Sequence, residues 1–239
     1  MIPWLPYCGP GSTPADWAVR WNADPWLIAG LAGLALVILV RGAGVRQSGL
    51  AAIAVLAVAF VSPLCALSSA LFTARTIHHV LLVAVAAPLI AWSLPRRGAR
   101  ALALATAAQV AAFWAWHAPG AYAAALSSDL AYWAMQASIL APAVWFWAAV
   151  RSAAMPAAII ALLASMVAMG LLGALITFAP DALYAPHLFT TRAWGLSPLE
   201  DQQAAGLIMW APAAAIYLAA ALLVLGRWIG PERPTARAA

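Results

Sequence analysis

The sequence predicts an all-α integral membrane protein: a seven-transmembrane-helix bundle with its N-terminus outside and its C-terminus cytoplasmic. Composition is the first reason. The 239 residues are 66% hydrophobic and only 8% charged, with mean hydropathy +0.92, whereas a soluble domain carries about a quarter charged residues. So few charges cannot dress a water-facing surface. The second reason is a series of apolar runs near the length that crosses a hydrocarbon core of roughly 30 Å. Their richness in alanine, leucine and valine favours helices over a barrel. The third reason is arginine placement. All 12 basic residues are arginine. With the N-terminus outside, Arg41, Arg46, Arg96, Arg97, Arg100, Arg151, Arg227, Arg233 and Arg237 fall on inner segments, and only Arg20, Arg75 and Arg192 on outer ones. Such a positive-inside bias needs an odd number of spans, and seven satisfies it. The net charge of +5 is thereby explained by topology, and no nucleic-acid partner is expected.

The runs are Trp26 to Val40, Leu50 to Ala70, Ile77 to Leu94, Ala101 to Trp116, Leu130 to Val150, Ala154 to Phe178 and Ala204 to Trp228. They divide the chain into an outer N-terminal segment (1–25), a transmembrane domain (26–229) and a cytoplasmic tail (230–239). The opening stretch MIPWLPYCGPGS lacks a basic region followed by an apolar one, so no cleavable signal peptide is expected. Among the acids only Glu232 falls inside. Tryptophans mark both expected interfaces, Trp21, Trp26, Trp114, Trp116 and Trp133 outside and Trp92, Trp145, Trp147 and Trp228 inside. The last helix has a readable start: Ser197-Pro-Leu-Glu200 is a capping box with proline at the first helical position. Glu200 and Asp201 then sit at the positive end of the helix dipole, and Pro212 is a candidate kink.

This topology puts all 4 histidines at the outer face. His78 and His79 open the third helix, His117 closes the fourth, and His187 lies in the loop between the sixth and seventh. Neighbouring helical residues diverge by about 100°, while residues three or four apart share a face, so Arg75 neighbours both His78 and His79. A hairpin near Thr73 brings Cys65 within about a turn of His79 in depth. Cys65, His79 and His117 can then converge, and thiolate, imidazole and thioether all suit Cu(I). Met166, Met169 and Met209 are further donors if their helices pack nearby. Plainer readings stay open beside this one. Histidines at an interface hydrogen-bond headgroups or neighbouring helices, methionines fill cores, and Cys65 is a small apolar residue in an apolar run. The two cysteines, Cys8 and Cys65, are too few for a disulfide framework, and the charge of Arg75 opposes a cation beside it. Asp201 and Gln202 are shallow polar groups at the start of an apolar helix, where capping competes with function. The absence of lysine excludes a retinal Schiff base, and the lack of carboxylates deep in the runs argues against a proton or ion transporter.

Several stretches in this order resemble the CtaG family of membrane assembly factors for bacterial haem–copper cytochrome c oxidases. They are RWNADPWLI (Arg20 to Ile28), SPLCALSSALFTARTIHHVLL (Ser62 to Leu82), the APLI segment with Pro88, WHAPGAY (Trp116 to Tyr122), TFAPDALYAP (Thr177 to Pro186) and SPLEDQQAAGLIMW (Ser197 to Trp210). The resemblance runs from about residue 20 to 229, and DQQ-x-x-GLIMW is its most specific part. It implies a non-enzymatic role in building the oxidase through copper handling at the outer, periplasmic face of the bacterial inner membrane. By position, His79 matches the second histidine of the family's H-x-x-x-H, His117 its W-H-x-P histidine, and Asp201 and Gln202 its D-Q pair. Two departures stand out. Arg75 occupies the first histidine of H-x-x-x-H, and LAYWAMQAS at the start of the fifth helix has no histidine.

The resulting expectation is an oxidase assembly factor that assists Cu(I) delivery or insertion. His79, His78, His117 and Cys65 are the candidate metal ligands. Arg75 would anchor a partner or a lipid phosphate, and Asp201 and Gln202 would order the end of the last helix. Expected partners are haem–copper oxidase subunits, periplasmic copper chaperones and the lipid bilayer. The alternatives are a metal-free accessory subunit of a respiratory oxidase and a copper transport or resistance protein.

Overall fold

The computed structural model describes residue 4, residues 6–95 and residues 101–229. The inner arginines Arg96, Arg97, Arg100, Arg233 and Arg237, with Glu232 and the tail 230–239, lie outside the described residues. The chain forms helices α1 (Pro25–Leu39), α2 (Ala43–Phe60), α3 (Leu64–Ala70), α4 (Phe72–Ser93), α5 (Leu102–His117), α6 (Pro119–Ala125), α7 (Asp129–Val150), α8 (Met155–Thr177) and α9 (Pro198–Ile229), with no strand among the described residues. Five of these, α2, α4, α7, α8 and α9, are long and apolar enough to cross a membrane. The first and fourth expected runs are the shorter helices α1, of 15 residues, and α5, of 16.

The second run differs from its expectation. It breaks at Val61–Pro63 into α2 and α3, because Pro63 lacks an N–H and its ring collides with the preceding turn. The third helix begins earlier than its apolar run, at Phe72 after an extended Leu71 (φ −124°, ψ 131°). Arg75, His78 and His79 therefore lie one to two turns inside α4.

Two of the three prolines in span interiors, Pro88 and Pro212, coincide with π-helical turns, while Pro142 sits in the unbroken helix α7. In α4 the turn covers Leu81–Ala86, just before Pro88, and in α9 it covers Met209–Ala213 around Pro212. In the first, Ala87 N–H bonds to the Leu82 carbonyl five residues back. The same register would pair the Val83 carbonyl with residue 88, which as proline has no N–H. Trp147 Nε1 of α7 fills that position at 2.8 Å. A widened turn and an indole donor thus restore the hydrogen bond that proline removes.

Helix α4 is the centre of the bundle, packing against α2, α3, α7 and the start of α9, while α8 packs along α9 and α5 along α7. The α8–α9 crossing depends on glycine. A Cβ on Gly173 would stand 2.7 Å from the Gly206 carbonyl oxygen and the Trp210 nitrogen. A Cβ on Gly206 would meet Thr177 Oγ1 and, at 2.7 Å, the Gly173 oxygen. The helices touch backbone to backbone, as small residues permit.

Candidate functional site

One end of the bundle gathers the N-terminal segment, the α3–α4 turn, the α5–α6 junction, the loop after α8 and the first turns of α7 and α9. Polar residues fasten these pieces together. The capping box of α9 forms as expected, with the Glu200 N–H bonding to Ser197 Oγ and the Ser197 N–H to Glu200 Oε2. Asp201, the next residue, turns into the protein. Its carboxylate accepts the Phe72 N–H at 2.6 Å and the Thr73 N–H at 3.1 Å, and Thr73 Oγ1 donates back to the Asp201 carbonyl at 2.9 Å. The first turn of α4 has no cap from its own flanking residue, so Asp201 caps it from another helix, with its negative charge at the positive end of the α4 dipole. Gln202 accepts the Leu183 N–H at 2.6 Å and donates to the Ile176 and Asp181 carbonyls. Asp201 and Gln202 therefore order α4 and the loop after α8, not only the helix that carries them.

His187 holds the same loop. Its Nδ1 is 3.2 Å from the Ala70 carbonyl, which can only accept, so Nδ1 carries the proton and Nε2 accepts from the Tyr122 hydroxyl at 2.6 Å. Burial pushes this imidazole down to about 3, with the Ala70 bond opposing and the Arg75 charge adding. Tyr184 donates to the His117 carbonyl and stacks on Phe72 with ring centroids 3.8 Å apart.

Inside this frame lie the imidazoles of His78, His79 and His117, all buried. His79 is the middle member, its ring centroid 5.7 Å from His78 and 5.4 Å from His117. His117 Nδ1 donates to the Phe113 carbonyl at 2.7 Å, which leaves Nε2 as a lone-pair nitrogen with no protein partner. Both ring nitrogens of His79 are likewise without protein partners, whereas the His78 ring faces the Ala59 backbone. Two imidazoles that share one ion through bonds of about 2 Å have ring centroids roughly 5–6.5 Å apart, so the His79–His117 spacing suits a bridged pair. Among the described residues no group of three or more His, Cys, Asp or Glu side chains could hold a metal ion. His78 instead meets the edge of Phe60, centroids 4.9 Å apart.

Cys65 corrects an expectation. It is bonded to Cys8 across a sequence separation of 57, and a disulfide sulfur is not a thiolate ligand. Two cysteines do suffice for one staple, which fastens the N-terminal segment to α3. Tyr7 lies beside it, stacked on Tyr132 at 5.0 Å and edge-on to Trp133 at 5.0 Å. Tyr7 also bonds to Asp24, the N-cap of α1, and this bond holds the Asp24 carboxyl below its ordinary range. Arg75 is the second correction. It is wholly enclosed by protein, so a lipid phosphate at the surface is beyond its reach. Its guanidinium lies over the Tyr132 ring, 5.3 Å from the centroid. The Tyr122 and Tyr132 hydroxyls face it as neutral acceptors, at more than ordinary hydrogen-bond length, and no carboxylate among the described residues pairs with its charge.

The model of the cytochrome c oxidase caa3 assembly factor family (Caa3_CtaG) matches residues 99–230, more than half of the chain. The chain belongs to the CtaG family. With its apolar helices this makes it a multi-pass membrane protein of a family that assembles cytochrome c oxidase. The family match takes in His117, Tyr122, Tyr132, Gln136, His187, Asp201 and Gln202. The stretch with Cys65, Arg75, His78 and His79 precedes it, so the family match is narrower than the resemblance drawn from about residue 20. No curated protein and no solved structure matched the chain. Tyr122, Tyr132, Tyr184 and Gln136 were not singled out by sequence reasoning. Tyr122 and Tyr184 lie within the WHAPGAY and TFAPDALYAP stretches that carried the resemblance, and that was the available signal.

Proposed function

We propose that this CtaG-family chain passes Cu(I) as cargo to a nascent cytochrome c oxidase at the periplasmic face of the bacterial inner membrane. In this reading seven helices span the bilayer, counting α1 and α5, with the N-terminus outside and the inner arginines in the cytosol. The single observation that carries the reading is the His79–His117 pair. One ring is fixed by its Nδ1–H bond to a backbone carbonyl, which leaves Nε2 free and directs it, and its neighbour is 5.4 Å away with no competing protein partner. Cu(I), a d10 ion, takes from two to four donors and imidazole is an accepted one; the 5.4 Å spacing suits a bent pair that leaves a position open for a donor of the receiving subunit. Two donors beside a guanidinium hold an ion weakly, which suits transfer better than storage. The protein's contribution is to keep both rings oriented and shielded from water. No catalytic role is assigned.

A metal-free accessory subunit is the second reading, favoured by the positive charge of Arg75 on the same helix. Complementation separates the two. A strain lacking this gene, supplied with wild type or with His79→Ala/His117→Ala, is scored for oxidase activity and for copper per haem in the purified oxidase. The proposal expects the double variant to be made at normal levels and to yield oxidase with substoichiometric copper. Full copper occupancy with the double variant rejects cargo transfer and leaves the accessory role.

A further inference from the structure

We propose that Arg75 holds a small, planar, monovalent oxyanion of the carboxylate, bicarbonate or nitrate class inside the histidine end of the bundle. A guanidinium buried from water is unfavourable unless an opposite charge and hydrogen-bond acceptors accompany it. Arg75 has 0% exposure; the hydrogen-bonding groups about it are the neutral Tyr122 and Tyr132 hydroxyls, no nitrogen makes a hydrogen bond of ordinary length to a protein acceptor, and no carboxylate among the described residues pairs with its charge. Among the described residues the one salt bridge is Arg20 to Asp16, at 3.2 Å. Asp201, whose carboxylate meets the start of the same helix, is committed to the Phe72 and Thr73 N–H groups there.

The surroundings resemble the lining of an anion site more than that of an ion pair. Tyr122 already spends its hydroxyl proton on His187 Nε2. The Tyr132 hydroxyl faces two donors, Arg75 and Gln136, and has a weak 3.6 Å contact with Cys8 Sγ, so its own proton can turn to a further acceptor. Gln136, one turn further along α7, is buried beside the Tyr132 hydroxyl, and its amide makes no hydrogen bond of ordinary length. The neighbouring charged or titratable groups on α4 and the loop, His78, His79 and His187, bring no negative charge. One positive charge calls for one negative charge. The planar guanidinium fork matches two oxygens of a planar anion better than a spherical halide. The proposal is independent of copper, and its test is run metal-free.

Detergent-purified protein is melted in chelator-containing buffer at constant ionic strength, with sodium gluconate replaced stepwise by formate, nitrate, bicarbonate or chloride. Wild type should gain a saturable rise in melting temperature of about 5 °C with the planar anions, and chloride should require at least tenfold more for the same rise. Arg75→Gln should lose the response, while Arg20→Gln, at the surface, keeps it. If Arg75→Gln does not accumulate, Tyr132→Phe and Arg75→Lys replace it, each expected to raise the half-saturating concentration at least fivefold. A wild-type melt indifferent to all four anions, or a response that survives in every Arg75 and Tyr132 variant, overturns the proposal. Equal potency of chloride and formate overturns the planar-anion assignment.

Discussion

Replacing Asp201 by alanine removes the acceptor for two backbone donors at the start of the central helix. Phe72 is buried and its N–H bond to the carboxylate is 2.6 Å long; the Thr73 bond is 3.1 Å. A buried donor stripped of its partner costs about 1–3 kcal/mol, so two cost roughly 2–6 kcal/mol. Release of a carboxylate from a site with 0% exposure offsets part of this. The expected net loss is about 3 kcal/mol for Asp201→Ala. Asp201→Asn keeps one acceptor oxygen but loses the charge facing the α4 dipole, and should cost about 1–2 kcal/mol. Thr73→Val, which deletes only the 2.9 Å return bond to the Asp201 carbonyl, should cost about 1 kcal/mol. Reversible unfolding in mixed micelles, followed by tryptophan fluorescence, measures all three. A loss below about 0.5 kcal/mol for Asp201→Ala, well under the cost of one orphaned donor, would refute the inter-helix cap.

Gly206→Ala should cost about 1–3 kcal/mol by overpacking, because the added methyl meets Thr177 and the Gly173 backbone; Gly226→Ala, with open space around it, is the neutral control in the same assay. His187 predicts a pH dependence. Its proton affinity is ordinary, near 6.5, when unfolded and about 3 when folded, so below pH 6.5 the unfolded chain binds the extra proton and stability falls with pH. Between pH 6 and pH 5 this single group should remove about 1 kcal/mol, and His187→Gln should show that much less loss over the interval. Cys8→Ser should destabilise by about 4 kcal/mol if the entropy of a closed loop of this size governs, and should expose the N-terminal segment to protease first.

The helical class was legible because 66% hydrophobicity and 8% charge leave the chain no water-facing solution. The capping box of α9 was legible because its chemistry is local. The break at Pro63 was hidden inside an unbroken apolar run, although proline gave the physical cue. The Cys8–Cys65 bond was missed because pairing depends on where the N-terminal segment folds, and spacing alone does not reveal that. Arg75 was assigned to the interface from its distance to the apolar run. An earlier helix start and a covering segment enclosed it instead. His79 and His117 were brought together as expected, since each lies near the same end of its helix. Asp201 was read as serving its own helix because capping rules are written for neighbours in sequence; its partners lie 128 and 129 residues away.

X-ray absorption of the purified protein loaded with Cu(I) under reducing conditions tests the imidazole pair most directly. One copper per chain with nitrogen scatterers only, lost in His117→Ala and retained in His187→Gln, is the predicted result. No bound copper, or copper that persists unchanged in His79→Ala/His117→Ala, would contradict it.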